Sequence, residues 1–156
     1  MTKYNDDIHL SRQLRGIPDD DGRVIVVSGA PGSGKTHYVK ENKTDNDLVI
    51  DMDYLCAALN ASDGIYGNHN PVLGVACEVR DFLYDTVSER KGEWDKCYIV
   101  TASKDKEEVD RITQRLRGTN VAMTTDLNQC LKNIDSDARR TDKETFRQLA
   151  ENWFDD

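Results

Sequence analysis

Strand-like apolar runs alternate with helix-spaced segments along this chain, which predicts an α/β fold: a short, mainly parallel sheet of four or five strands covered by helices on both faces. Three observations carry that prediction. Apolar runs recur at Val24-Ile25-Val26-Val27, Leu48-Val49-Ile50 and Cys97-Tyr98-Ile99-Val100, each followed by a segment with helical spacing. A glycine-rich turn, Gly29-Ala30-Pro31-Gly32-Ser33-Gly34-Lys35-Thr36, joins the first run to the first helix. Two carboxylates, Asp51 and Asp53, follow the second run, at the edge where open α/β sheets receive ligands.

A chain of 156 residues suits one domain with its own core. Residues 1–22 read as an acidic leader, with Asp6-Asp7 and Asp19-Asp20-Asp21-Gly22 flanking a weakly amphipathic stretch of Ile8, Leu10 and Leu14. Residues 23–156 form the domain. Strand one is expected over 23–28 and helix one from Lys35 to Asn42. The polar turn Lys43-Thr44-Asp45-Asn46-Asp47 leads to strand two at Leu48-Val49-Ile50. Leu55, Ala58 and Leu59 share a helical face, and residues 61–70, rich in Gly and Asn, read as a loop. Pro71, whose fixed φ suits a first helical turn, should open a longer helix that presents Leu73, Val75, Ala76, Val79, Phe82, Leu83 and Val87 and ends near Gly92. Strand three at 97–101, a helix at 104–117 stopped by Gly118, a short strand at 120–123, and helices near 125–133 and 142–153 complete the pattern.

The formal net charge of -8 argues against a protein that coats nucleic acid through non-specific phosphate contacts, although a local basic groove is compatible with it. No apolar stretch approaches the length of a membrane span, and residues 1–7 lack the apolar centre of a signal peptide. A soluble, cytoplasmic protein without a membrane partner is expected. Cys56, Cys77, Cys97 and Cys130 are scattered with no C-x-x-C pair, which points to reduced, mostly buried thiols.

The turn after strand one matches G-x-x-x-x-G-K-[ST] in its required strand-to-helix context. With it the fold class narrows to a P-loop NTPase, a three-layer αβα sandwich. Small residues at Gly29, Ala30, Pro31, Gly32, Ser33 and Gly34 let backbone N–H groups converge on a phosphate, and the next helix adds the positive end of its dipole. Lys35 reaches the β- and γ-phosphates as a point charge, and the Thr36 hydroxyl is placed to ligate Mg²⁺. The implied ligands are ATP, or another nucleoside triphosphate, and Mg²⁺.

Phosphoryl transfer asks for positioning, charge neutralisation and a group that orients or deprotonates the acceptor. Asp51 and Asp53 share a face if strand two continues and diverge if a helix starts there, one then serving as helix cap or metal-water ligand and the other as base. We favour Asp53 as the base, with Asp51 in support and joining Thr36 at the metal. Strand three ends Ile99-Val100-Thr101-Ala102-Ser103 without the acid that a hydrolytic P-loop ATPase places there, which shifts weight from water to a bound hydroxyl as acceptor. The polar segment Asp135-Ser136-Asp137-Ala138-Arg139-Arg140-Thr141 lies between two helical patterns, where an arginine can close over phosphates, so Arg139 and Arg140 are candidates. Arg80 faces either an acceptor phosphate or solvent. Tyr66, Asn68 and His69 lie near the acceptor's entry or on a plain surface loop. Lys104, Asp105, Arg111 and Arg115 read as a solvated helix face, His37 as packing or exposed, and Trp94 and Trp153 as packing.

These pieces resemble small P-loop kinases related to the kinase module of phage polynucleotide kinase, a group that includes zeta-toxin-like and AAA-type ATPase chains. The match is carried by Val26-Val27-Ser28 with the P-loop, by Leu48-Val49-Ile50-Asp51-Met52-Asp53-Tyr54, and by Asp137-Ala138-Arg139-Arg140. Further likeness to phage and prophage proteins lies in Trp94 ahead of strand three and in the terminal Trp153-Phe154. The resemblance spans roughly residues 23–154. It implies ATP-dependent phosphorylation of a hydroxyl, with Lys35, Thr36, one of Asp51 and Asp53, and Arg139 in the matching roles, and a location in the host cytoplasm for a phage-encoded chain. The acidity and shortness of the chain depart from polynucleotide kinase and leave a polynucleotide 5′-hydroxyl, a nucleoside or a nucleotide open as acceptor. A nucleotide hydrolase or switch is the alternative, and a nucleotide-binding scaffold a third reading.

Overall fold

Val24 and Val26 point to one side of their strand while Ile25 and Val27 point to the other, and that alternation of apolar side chains sets up a sheet covered on both faces. In the computed structural model, which describes residues 20–155, β1 (Val24–Ser28), β2 (Leu48–Ile50), β3 (Cys97–Thr101) and β4 (Thr119–Ala122) form a sheet of order β2-β3-β1-β4. All three pairings are parallel. The described helices are α1 (Lys35–Asn42), α2 (Met52–Leu59), α3 (Leu73–Ser88), α4 (Lys106–Leu116), α5 (Leu127–Ser136) and α6 (Lys143–Phe154). None is long and apolar enough to cross a membrane.

The larger core lies under α3 and α4. Val24, Val26, Ile50, Cys97 and Ile99 pack there against Tyr84, Val87, Trp94, Val109 and Leu116. Fully burying Ile99 and Leu116 contributes about 1.5–3 kcal/mol each. On the opposite face Val27 and Tyr98 meet Val39 of α1, with Ile25, Tyr38, Val49, Val100 and Met123 around them. Helices α5 and α6 pack on each other beyond the carboxyl edge. The four cysteines are free thiols, three of them buried.

Two helix starts differ from the periodicity. Pro71 does not open α3: it sits in a turn in which Val72 N–H donates to His69 C=O, and the helix begins at Leu73 with Val72 as its cap. Helix α3 also stops at Ser88, because Arg90 turns left-handed (φ 56°) to carry its guanidinium onto Asp21 and the Val87 carbonyl. Asp105, placed inside the fourth helix by its spacing, instead caps α4 by accepting from Glu107 N–H at 2.9 Å.

The stretch with Ile8, Leu10 and Leu14, and the leader as far as Asp19, lie outside the described residues. The end of that leader is tied to the domain. Asp21 binds Arg90 through both carboxylate oxygens, and Arg23 stacks over the Trp94 ring at 4.1 Å while donating to the Trp94 and Asp95 carbonyls.

Candidate functional site

The turn after β1 is a backbone cradle held from outside by α5. Gly32 has φ 79°, and a Cβ there would stand 2.7 Å from the Cys130 carbonyl oxygen and 2.9 Å from Ile134 Cγ1. A Cβ on Gly29 would meet Ser33 Oγ at 2.6 Å and Met123 Cβ at 2.8 Å. Asn133 Nδ2 donates to the Gly32 carbonyl at 2.9 Å, and Thr125 Oγ1 donates to the Ser33 carbonyl at 2.8 Å. Inside the cradle, Ser33 Oγ is buried with no partner, an orphan of the kind a phosphate oxygen would satisfy. Gly32→Ala is expected to cost about 2–4 kcal/mol, from the left-handed backbone and the collision with a main-chain oxygen. A thermal melt would show it; an unchanged midpoint would mean that α5 can retreat from the turn.

Lys35, the first residue of α1, curls back so that Nζ donates to the Gly29 carbonyl at 2.8 Å and the Ala30 carbonyl at 2.7 Å. Burial, helped by the Arg140 charge, pulls its pKa down to about 8. The cation is therefore held among polar backbone groups without a full counter-charge, as a group kept for an anionic ligand would be.

Of the two geometries open to the acid pair, the divergent one is realised, because α2 begins at Met52. Asp51 becomes its N-cap, with Oδ1 accepting from Asp53 N–H at 2.9 Å, while Asp53 lies on the first turn. Asp51 is only 6% exposed, and burial followed by the neighbouring Asp53 charge raises its pKa to about 6. Asp53 is raised too, chiefly by burial, against the pull of His69, Arg140 and Lys35. β3 lies between β2 and β1, so the acids and the cradle come from strands two places apart in the sheet, yet both line one cleft and Asp51 feels the Lys35 charge.

The folded-state pKa of Asp51 exceeds its unfolded value of 3.8, so the native state holds this proton more tightly. The group's contribution is complete below about pH 4 and is lost as pH rises through about 6, an effect of up to about 3 kcal/mol. Asp51→Asn keeps a capping side chain. It should raise the stability of the free protein at pH 7 and flatten the pH 4–7 part of the stability curve, as denaturant titrations would show. Curves that stay parallel would mean that Asp51 is already relieved in the wild type.

The 137–140 segment brings both arginines to the same cleft in unlike settings. Arg139 grips Asp137 with Nε and Nη2, each at 3.0 Å, and those bonds hold the Asp137 carboxyl at about 2. Arg140 is the more enclosed, lying 4.3 Å over the Tyr66 ring and 4.6 Å over the Phe146 ring, with Nη2 donating to Tyr66 Oη at 3.2 Å. The Tyr66 hydroxyl also shares a hydrogen bond with the Thr36 side chain. The loop before α3 thus touches the cradle, the arginine segment and, through His69, the acid pair.

One cleft of about 810 Å³ is lined by the turn from Pro31 to Thr36, Asp51, Asp53, Tyr66, Arg80, Tyr84, Thr101, Ala102, Arg115, Asn133, Arg139 and Arg140. Its far end corrects one expectation: Arg115 is no solvated helix residue but lies in the cleft over Tyr84, paired with Asp85. Arg80 takes the cleft-facing of its two positions, also over Tyr84, with Nε buried and unpartnered. His37 is exposed against Glu41, Trp94 is buried, and Trp153 donates Nε1–H to the Ala102 carbonyl. Asn133 and Thr125, which hold the cradle, were not visible as site residues; a polar residue on the inner face of an otherwise amphipathic α5 was the available signal for Asn133. Among the described residues, no group of three or more His, Cys, Asp or Glu side chains could hold a metal ion. The donor set present, a hydroxyl at Thr36 and a carboxylate at Asp51, fits a hard cation that takes its remaining oxygens from phosphates and water.

Fold and site together define an α/β protein with a four-stranded parallel sheet and a glycine cradle at its carboxyl edge. No protein-family model and no curated protein matches the chain. In fold it is similar to a chain of a solved structure titled "Structure of the Pnkp1/Rnl/Hen1 RNA repair complex", at a TM-score of 0.55 and 14% identity over 87% of this chain. The match covers 47% of that chain, so the likeness is one of fold over about half of its length.

Proposed function

We propose that the chain is a P-loop NTPase-fold phosphotransferase that moves the γ-phosphoryl group of ATP, or another nucleoside triphosphate, to an acceptor hydroxyl. The reading rests above all on one cleft that gathers Lys35, Asp53, Asp51 and Arg140 from separate segments around a backbone cradle. A bound Mg²⁺ would supply neutralising charge between the phosphates, with Thr36 and Asp51 as its protein ligands. Lys35 exchanges the Gly29 and Ala30 carbonyls for phosphate oxygens. Ser33 Oγ gains the partner it lacks. Asp53 accepts the acceptor's hydroxyl proton as the new O–P bond forms, while the old bond breaks and its electron pair leaves on the β-phosphate oxygen. Arg140, with Arg139 beside it, adds positive charge facing the transferring group.

The carboxyl end of β3, beside the cradle, carries Thr101 and Ala102 in the cleft rather than an acid, which favours a hydroxyl over water as acceptor. A polynucleotide 5′-hydroxyl, a nucleoside or a nucleotide suits the cleft's arginines, and the fold neighbour's place in an RNA repair complex favours the nucleic-acid side of that range. A cytoplasmic location accompanies this reading.

Transfer of labelled γ-phosphate to a panel of 5′-hydroxyl DNA and RNA oligonucleotides, nucleosides and nucleoside monophosphates tests the proposal. Label on one acceptor class is the expected result. Release of free phosphate alone would establish a hydrolase or switch instead, and nucleotide binding without turnover a scaffold.

A further inference from the structure

His69 sits in the loop between α2 and α3, and the roles given so far leave it unused. Its side chain is 15% exposed, its Nδ1 stands 3.5 Å from Asp53 Oδ1, and its Nε2 is buried with no partner. Those facts select a tautomer. A proton on Nε2 would be a buried donor with nothing to receive it, whereas a proton on Nδ1 has the Asp53 carboxylate in front of it. The separation is long for a hydrogen bond, as such contacts are before substrate arrives and closes the site.

The loop that carries His69 is anchored on both sides of that residue. The His69 carbonyl accepts from Val72 N–H at 3.1 Å, which fixes the turn into α3. Three residues earlier, Tyr66 is clamped by Arg140 and Thr36 and packs edge-on against Phe146 at 5.2 Å. A ring held this way does not need to be ordered at the moment of reaction.

We propose that His69 is a positioning residue for Asp53: its Nδ1–H engages Oδ1, fixes the rotation of the carboxylate, and leaves Oδ2 directed at the acceptor hydroxyl. The inference rests on the reading of Asp53 as the proton acceptor. The proton balance is unchanged by it, since the hydroxyl proton ends on Asp53 and the histidine proton stays on Nδ1. The groups around Asp53 are Asp51 on the α2 cap, Lys35 on α1, Arg140 between α5 and α6, Tyr66 on the loop and Cys56 on α2.

The test uses the full chain with His69→Ala, His69→Gln and His69→Asn, read by the steady-state kinetics of acceptor phosphorylation and by thermal melts that confirm each variant is folded. The Asn amide reaches the position of Nδ1 and the Gln amide that of Nε2. His69→Ala and His69→Gln should lower kcat by about 10- to 100-fold with KM for the nucleotide unchanged, while His69→Asn retains most of the rate. A loss confined to KM, or equal losses in all three variants, overturns the proposal. A wild-type chain that transfers no phosphate overturns the phosphotransferase reading and this inference with it, whereas an active wild type with equal losses in the three variants overturns this inference alone.

Discussion

Lys35→Ala should abolish phosphoryl transfer, with a loss of at least about 100-fold, the scale set by removing one preorganised charge from a developing anion. The side chain is well placed to supply that charge, since it follows the cradle directly, is enclosed, and holds its ammonium against the Gly29 and Ala30 carbonyls that form the cradle's wall. Those two bonds also stitch the turn, so a fold defect has to be separated from a chemical one. Lys35→Met does this. It fills nearly the same volume without the charge; it forfeits the same two carbonyl bonds, but removing an ammonium that burial already disfavours, with a pKa of about 8, offsets that loss, so the Met chain should melt close to the wild type. Both variants inactive and Met fully folded is the expected pair of results from single-turnover transfer and thermal melts. A Met variant within about tenfold of the wild type would show that the cradle is not the reacting site.

Asp53→Asn should lower kcat by about 100- to 10,000-fold, the range for losing a general base, with nucleotide affinity unchanged or improved as a negative charge leaves the cleft. The substitution is nearly isosteric and spares the helix start, because the bond that caps α2 uses the Asp53 backbone N–H and the Asp51 side chain. Asp51 is poorly placed to substitute: one of its oxygens is committed to the cap and the group is nearly sealed from solvent. Measuring transfer in Asp53→Asn and Asp51→Asn separates the two acids. Loss confined to Asp51→Asn would exchange the assigned roles, and an unaffected rate in both would place the proton acceptor elsewhere in the cleft.

Much of the fold was legible in the order of residues, and the reasons are local. Val24 to Val27 and Cys97 to Val100 are unbroken apolar runs of the length that a strand buried on both faces requires, and the glycine turn between β1 and α1 states its geometry through residue types alone. Where local signals misled, a distant partner had intervened. Pro71 favours a helix start, but the turn closed by His69 and Val72 delays it. Arg115 sits in a run of charges that reads as a solvent face, yet α4 packs with α3 and turns that residue onto Tyr84 and Asp85. The two arginines of the 137–140 segment are adjacent and chemically identical in the sequence, and only Tyr66 and Phe146, dozens of residues away or on another helix, make Arg140 the enclosed one.

The glycine cradle, the pair of acids and the alternating architecture are written into residue order, because each depends on neighbours within a turn or a strand. What residue order leaves open is the division of labour inside the cleft: which acid caps and which faces outward, which arginine is enclosed, and that His69 meets Asp53. The first is settled by the helix start at Met52, a local cap that residue order left in competition with a continued strand, and the others by a loop pinned between the cradle and the arginine segment, through contacts between residues that lie far apart along the chain and meet only when the sheet assembles.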